Sequence, residues 1–278
     1  LFLSYLSLGV LVLQTTSLVL TMRYSRTLKE DGPRYLASSA VVSAEVLKIF
    51  ACTLLVFIEN NFSVQLLKEE IVNKPVETMK LAIPAVIYTL QNNLLYVALS
   101  NLDAATYQWP TESEGDSEQK ILSASSQFVG LMAVLMACVS SGFAGVYFEK
   151  ILKETKQSVW VRNIQLGLFG FVFGFVGMIV YDGQKVRQSG MFQGYNTITC
   201  TVVALQALGG LVIAVVIKYA DNILKGFATS LSIIVSTLIS YFLLEDFNPT
   251  GVFFLGAVLV IAATFLYSSE RKPASSST

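Results

Sequence analysis

The chain has 278 residues, of which 54% are hydrophobic and 14% charged, and its 19 basic side chains balance its 19 acidic ones. That is too little charge for an ordinary soluble domain, where about 25% is usual, and the balance gives no overall attraction to nucleic acid. There is no histidine, and the three cysteines are far apart in apolar segments. We therefore expect no metal site, no cofactor and no hydrolytic mechanism.

Eight mostly apolar segments follow one another along the chain. At about 1.5 Å rise per residue, each can cross a hydrocarbon core of about 30 Å as a helix, the last with some interfacial help. The sequence therefore predicts an all-α polytopic membrane bundle with about eight transmembrane helices. The predicted spans are 3–22, 36–58, 81–99, 127–147, 164–181, 197–217, 223–244 and 252–267.

The second segment carries an acidic and a basic residue. Polar groups inside a membrane helix are tolerated when they pair or face a cavity. Glu45 and Lys48 are three residues apart, so they can pair on one helix face. The pair is either a structural ion pair or a gate that breaks and reforms.

The third segment contains three consecutive amides, Gln91, Asn92 and Asn93, close to Tyr88. Successive residues of a helix point about 100° apart, so the three amides cannot all serve one neighbouring helix. We expect this cluster to line an aqueous cavity suited to a base or a sugar.

A weak internal repeat relates the third segment to the sixth. Each contains a glutamine and is followed by an aspartate, Asp103 or Asp221, at the turn into another helix. Two further segments follow Asp221, whereas a short stretch and then an acidic sequence follow Asp103. Either the repeat is accidental, or two helices are missing between Gln108 and Trp109. We expect one transmembrane domain over 1–278, with a shortened first half (1–108), a lumenal acidic loop (109–125), a second half (126–267) and a cytosolic tail (268–278).

Small residues recur on one face of the fourth and fifth segments, a pattern that lets membrane helices approach closely. Packing alone accounts for most of them. In the fourth segment Ser141 and Gly142 leave room for a ligand, and Asn163 adds a polar group at the start of the fifth.

Lys225 opens the seventh segment, directly after an Asp-Asn pair. A cation at a helix N-terminus is disfavoured by the helix dipole unless an anion lies close to it. Lys225 and the helix N-terminus together predict a diphosphate site. The alternative is that the lysine reaches the membrane interface.

The loops indicate the orientation in the membrane. With a cytosolic N-terminus, the inner loops and tail hold eleven Lys and Arg residues and the outer loops seven. The positive-inside rule therefore favours both termini in the cytosol.

Three stretches, 90–108, 142–153 and 218–227, resemble the Golgi nucleotide-sugar transporters of the drug/metabolite transporter superfamily. The resemblance covers nearly the whole chain and implies ten helices in two inverted halves, two more than this sequence predicts. Within the family it is nearest to members that carry UDP-N-acetylglucosamine.

The resemblance implies exchange of a cytosolic nucleotide sugar for lumenal UMP across the Golgi membrane, without enzymatic chemistry. Partners would be the nucleotide sugar, UMP and lipid, with oligomers or complexes with related transporters or glycosyltransferases as further options. The alternative is a transport-inactive shortened variant that acts as a membrane partner or regulator of full-length transporters. By motif match, the nucleotide site would contain Asn92, Asn93, Ser141, Gly142, Asn163 and Lys225, with Lys225 on the phosphate.

Overall fold

The computed structural model describes residues 2–27, 34–59, 65–107, 116–155, 157–244 and 251–270. Side chains are described over 6–25, 34–59, 65–101, 124–155, 157–242 and 253–267, together with residue 251. The junction between Gln108 and Trp109 lies outside these residues, as does the end of the expected tail from 271 onwards.

The described residues form eight long helices and no strand. Seven of the predicted spans lie inside the observed helix or begin one residue before it. The span 223–244 continues past the end of its helix at Ile239 into a π-helical turn, Ser240–Leu244. By length and composition seven helices can cross a membrane, whereas the apolar part of the last, Phe253–Tyr267, is shorter than a full span. The helices are α1 (Phe2–Thr27), α2 (Ala37–Glu59), α3 (Ala82–Tyr107), α4 (Asp116–Glu154), α5 (Val159–Ser189), α6 (Thr197–Tyr219), α7 (Asn222–Ile239) and α8 (Gly251–Glu270).

Two predicted loops contain helical structure. The segment between α2 and α3, here called the connector (residues 65–80), contains three short helical turns, Gln65–Leu67, Lys68–Val72 and Pro75–Met79. The prediction of a loop over 109–125 was wrong from residue 116 onwards, because α4 begins at Asp116. Acidic residues are favourable near the positive end of a helix dipole, so the end of this acidic stretch can start a helix.

The packing of the helices follows a two-fold pattern. The α3 helix packs along α4, and α1 packs along α6 in the same way. The contact between α3 and α5 likewise matches the contact between α6 and α2. The α2 and α5 helices pack against each other at the centre. This is the pattern expected when α1, α2 and α3 correspond to α4, α5 and α6. Within the described residues, α7 packs on α1 and α8 packs on α7, and neither has a counterpart in the first half.

Apolar clusters fill both ends of the bundle. At the end opposite the connector, Tyr35 and Tyr96 meet edge to face with ring centroids 6.3 Å apart. At the connector end, Leu81 and Phe148 pack with Leu166. The space between these two clusters is lined by several polar side chains of the spans.

Candidate functional site: a central cavity

A cavity of about 190 Å³ lies between the two apolar clusters, and α1 to α7 all contribute to its wall. Most of the wall is apolar, with a few polar groups converging from different helices. This combination is typical of small-molecule sites. The polar side chains that line the cavity include Gln14, Glu45, Lys48, Tyr88, Gln91, Asn92, Ser141, Gln206 and Lys225.

Lys225 is a buried cation in this wall, with only 6% of its surface exposed. Its Nζ donates a hydrogen bond to Ser141 Oγ at 3.1 Å and lies 6.0 Å from the centroid of the Tyr88 ring. Among the described side chains, no carboxylate forms an ion pair with it. Because a buried ammonium group without a counter-charge is costly, this arrangement favours an anionic ligand.

Two polar atoms beside Lys225 are also available to a ligand. The Tyr88 hydroxyl and Gln91 Oε1 are buried and have no hydrogen-bond partner among the described groups. The Tyr88 ring is held edge-on against Phe148, with centroids 6.5 Å apart. Because buried polar atoms are nearly always hydrogen-bonded, these two atoms favour a ligand that carries both a donor and an acceptor.

The position of Lys225 follows from the turn before α7. Asp221 Oδ1 accepts a hydrogen bond from the Leu224 amide at 2.7 Å, which caps the helix. Glu149 Oε2, from α4, accepts one from the Asn222 amide at 3.0 Å. A Cβ atom at Gly145 would overlap the Asn222 side chain, so a glycine is needed where α4 meets this turn.

These caps correct one part of the predicted phosphate site. The sequence suggested that the N-terminus of α7 would bind phosphate together with Lys225. Two of its amides are instead occupied by the carboxylates of Asp221 and Glu149. Any phosphate contact here is therefore assigned to the Lys225 side chain and its neighbours.

Glu45 and Lys48 form the ion pair that the sequence suggested, with Lys48 Nζ 2.6 Å from Glu45 Oε2. Glycines on the facing helices make room for it. A Cβ atom at Gly170 of α5 would lie 2.8 Å from Glu45 Oε2, and one at Gly210 of α6 would lie 2.9 Å from Lys48 Cδ. At Gly170, the small-residue stripe of α5 is thus explained by close packing on a buried ion pair.

The other predicted site residues are divided among different environments. Asn92 lines the central cavity, whereas Asn93 lines a separate groove between α3 and α5. Asn163 is buried, and its amide donates to the Val159 carbonyl at 3.1 Å. Gly142 is exposed, and its carbonyl accepts a hydrogen bond from the Asn222 side chain at 3.3 Å. Neither Asn163 nor Gly142 is in the described wall of the cavity.

Sequence reasoning missed a polar cluster at the connector end. Arg162 and Gln165 of α5 are fully buried. Arg162 contacts Glu77 at 3.4 Å and Gln165 at 3.0 Å, and Gln165 donates to Thr78 at 3.0 Å. These contacts tie the connector to α5. Polar residues near the start of the fifth segment were the available signal.

The sequence profile of the nucleotide-sugar transporter family matches residues 1–113 and 108–268. The chain belongs to this family. It is 63% identical to the UDP-N-acetylglucosamine transporter of Homo sapiens over 321 aligned positions, which cover 99% of this chain and 98% of the relative. It is also 46% identical to the UDP-galactose translocator of Mus musculus, covering 97% of this chain and 79% of that protein. The chain is thus a multi-pass membrane protein of a transporter family rather than an enzyme.

The similarity also shows where this chain is shorter than its relatives. The alignment with the human transporter exceeds the 278 residues of this chain by at least 43 positions. The family profile breaks into two matches at 108–113, where the sequence suggested that two helices are missing. At about 20 residues per span, 43 positions is the length of two membrane helices.

Proposed function

We propose that the chain is a nucleotide-sugar antiporter that exchanges UDP-N-acetylglucosamine for UMP. The observation that carries this proposal is the buried Lys225 ammonium, without a described carboxylate partner, beside the free polar atoms of Tyr88 and Gln91. A nucleoside phosphate offers the required chemistry, since its phosphate can meet Lys225 and its base or ribose can bond to the amides. The relatives named as transporters of UDP-sugars support the same substrate class.

The proposed substrate site combines the residues of the cavity wall with the remaining residues implied by the family. Tyr88, Asn92, Ser141 and Lys225 contribute directly to the wall. Three further residues, Asn93, Gly142 and Asn163, lie on helices that contribute to the cavity but outside its described wall. For these three residues to contact the substrate, the packing of the helices would have to change. Glu45 and Lys48 border the cavity as a structural pair, or as a gate if transport separates them.

Alternating access is the proposed mechanism. A cavity of about 190 Å³ is smaller than typical small-molecule sites of about 300–1,000 Å³, so the halves must separate for a nucleotide sugar to enter. At the connector end, Arg162 and Glu77 join them. At the other end, Ser38 donates to Asp182 at 2.6 Å. Opening would break contacts at one end while those at the other persist.

We assign the connector end to the cytosol, which places both termini on the cytosolic side of the Golgi membrane. This follows from the distribution of Lys and Arg residues. Nucleotide sugar would then enter from the side that holds Lys225, and UMP would return from the lumen.

Reconstitution into liposomes tests transport directly. Vesicles preloaded with UMP should take up external radiolabelled UDP-N-acetylglucosamine, and vesicles without internal UMP should take up much less. Uptake that is equal with and without UMP would contradict the exchange mechanism. Uptake no greater than in protein-free vesicles would contradict transport itself.

A second candidate function rests on the deficit of at least 43 positions relative to the human transporter. A family member without two helices could be inactive and act as a membrane partner of full-length relatives. Specific co-purification with a full-length transporter, together with no exchange in liposomes, would favour this function. Exchange by the isolated chain would contradict it.

A further inference from the structure

A second hollow lies on the side of the bundle, apart from the central cavity. This lateral groove has a volume of about 1310 Å³ and runs between α3 and α5, closed at one end by the start of α2. The described walls of the groove and the cavity have no residue in common. Between them, the Tyr96 hydroxyl donates to Gln206 Oε1 at 3.3 Å. The groove is therefore a separate site.

The walls of the lateral groove are hydrocarbon. Side chains from both helices are exposed along it, with Val180 of α5 70% and Leu90 of α3 51% accessible. Two asparagines in the walls use their donors within their own helix: Asn93 donates to the Thr89 carbonyl and Asn101 to the Val97 carbonyl, both at 2.8 Å. The inner surface therefore suits an acyl chain better than a polar solute.

The mouth of the groove is charged, in contrast to its walls. Arg34 and Lys185 both border it, and both are exposed. Asp182 also borders the groove, and its Oδ1 lies 3.3 Å from Lys185 Nζ while its Oδ2 accepts a hydrogen bond from Ser38. Among the residues that the structure describes, two cations and one carboxylate thus border one end of an apolar groove.

We propose that the lateral groove binds one phospholipid with a zwitterionic headgroup. The acyl chains would lie along α3 and α5, the phosphate would contact Arg34 and Lys185, and the amine would lie near Asp182. Basic residues at the mouth of an intramembrane pocket are a recognised basis for lipid headgroup binding. The Asp182 carboxylate offers the positive charge of a zwitterionic headgroup a contact that a headgroup without an amine cannot make.

Native mass spectrometry of the purified full chain tests this proposal, with phosphatidylcholine and phosphatidylglycerol of the same acyl chains supplied in equal amounts. We expect a single retained phosphatidylcholine. Val180→Trp should narrow the groove and lower the retention of this lipid. Val139→Trp is the matched control, because Val139 is equally exposed, at 70%, but lies on α4 outside the groove. Equal loss in both variants would contradict a specific site.

Charge variants give a second measurement that does not depend on repacking the groove. At about 0.5–1 kcal/mol for an exposed charge contact, Arg34→Ala and Lys185→Ala should each weaken phosphatidylcholine retention about two- to fivefold. Lys150→Ala, an exposed lysine at the end of α4, should leave it unchanged. Unchanged retention in the first two variants, or equal retention of phosphatidylglycerol by the unmodified chain, would overturn the headgroup assignment. Neither readout depends on transport, so the outcome is separate from that of the proposed function.

Discussion

The close packing of α5 on the Glu45–Lys48 ion pair predicts a large difference between two glycines of the same helix. A Cβ atom at Gly170 would lie 2.8 Å from Glu45 Oε2 and 3.0 Å from Glu45 Cδ, so the carboxylate must move. Lys48 Nζ is only 2.6 Å from that oxygen, and both side chains are buried. Gly170→Ala therefore disturbs a buried ion pair, whereas Gly177→Ala meets nothing within 4 Å.

The expected magnitudes follow from this geometry. Overpacking a buried contact costs about 1–3 kcal/mol, and full separation of a buried pair about 3–5 kcal/mol. Replacing a helical glycine by alanine otherwise stabilises by roughly 0.5–1 kcal/mol. We expect Gly170→Ala to lower the free energy of unfolding by about 1–3 kcal/mol and Gly177→Ala to leave it unchanged or slightly higher.

Denaturant unfolding of both variants in detergent, followed by circular dichroism, measures this difference. Liposome uptake by the same preparations then shows whether the ion pair also matters for transport. If the two variants have the same stability, Gly170 is not packed on the ion pair as described. A loss in Gly177→Ala alone would refute the assignment of the buried face of α5.

Three further predictions test other parts of the structure. Asn92→Ala should reduce nucleotide-sugar uptake more than Asn93→Ala, because Asn92 lines the central cavity and Asn93 the lateral groove; equal uptake would show that the two amides are not divided in this way. Arg162→Ala should lower the free energy of unfolding by about 1–3 kcal/mol because it leaves the buried Gln165 carbonyl without its donor, whereas exposed Lys150→Ala should change it by less than about 0.5 kcal/mol; similar denaturation midpoints would contradict the cluster. Asp221→Ala should cost about 1 kcal/mol through loss of the α7 cap, measured in the same unfolding assay, and an unchanged midpoint would show that Glu149 alone suffices.

The helices were well predicted from sequence because a lipid environment requires long apolar segments with internal backbone hydrogen bonding. Their ends were predicted less well. The α5 helix extends from Val159 to Ser189, beyond both ends of the predicted 164–181 span. Its N-terminus is capped by Ser158 and its C-terminus is followed by Gly190, with φ of 80°, and hydropathy detects neither signal.

The candidate site was predicted in part. Sequence reasoning placed Lys225 and Ser141 in one site and Tyr88 close to the amides of the cavity. In the structure Lys225 donates to Ser141 and lies 6.0 Å from the centroid of the Tyr88 ring. Helix geometry predicted that the three consecutive amides of α3 would point in different directions. Which amide faces the cavity, however, depends on how α3 is rotated against its neighbours. That rotation is set by tertiary packing, which hydropathy does not encode.

The caps of α7 could not be predicted in full for a similar reason. Asp221 is a recognisable cap residue in sequence. Glu149, however, reaches the Asn222 amide from a helix more than 70 residues earlier. Its role depends on the packing of α4 against α7, which places Gly145 against Asn222.

The role of Lys225 is tested most directly by comparing the binding of UMP and uridine to the purified chain and to Lys225→Ala. The two ligands differ only in the phosphate. Loss of a charge-assisted hydrogen bond of about 1.5–3 kcal/mol should raise the Kd for UMP by roughly 10- to 150-fold and leave the Kd for uridine within about twofold. An equal change for both ligands, or no change for UMP, would contradict the assignment of Lys225 to the phosphate.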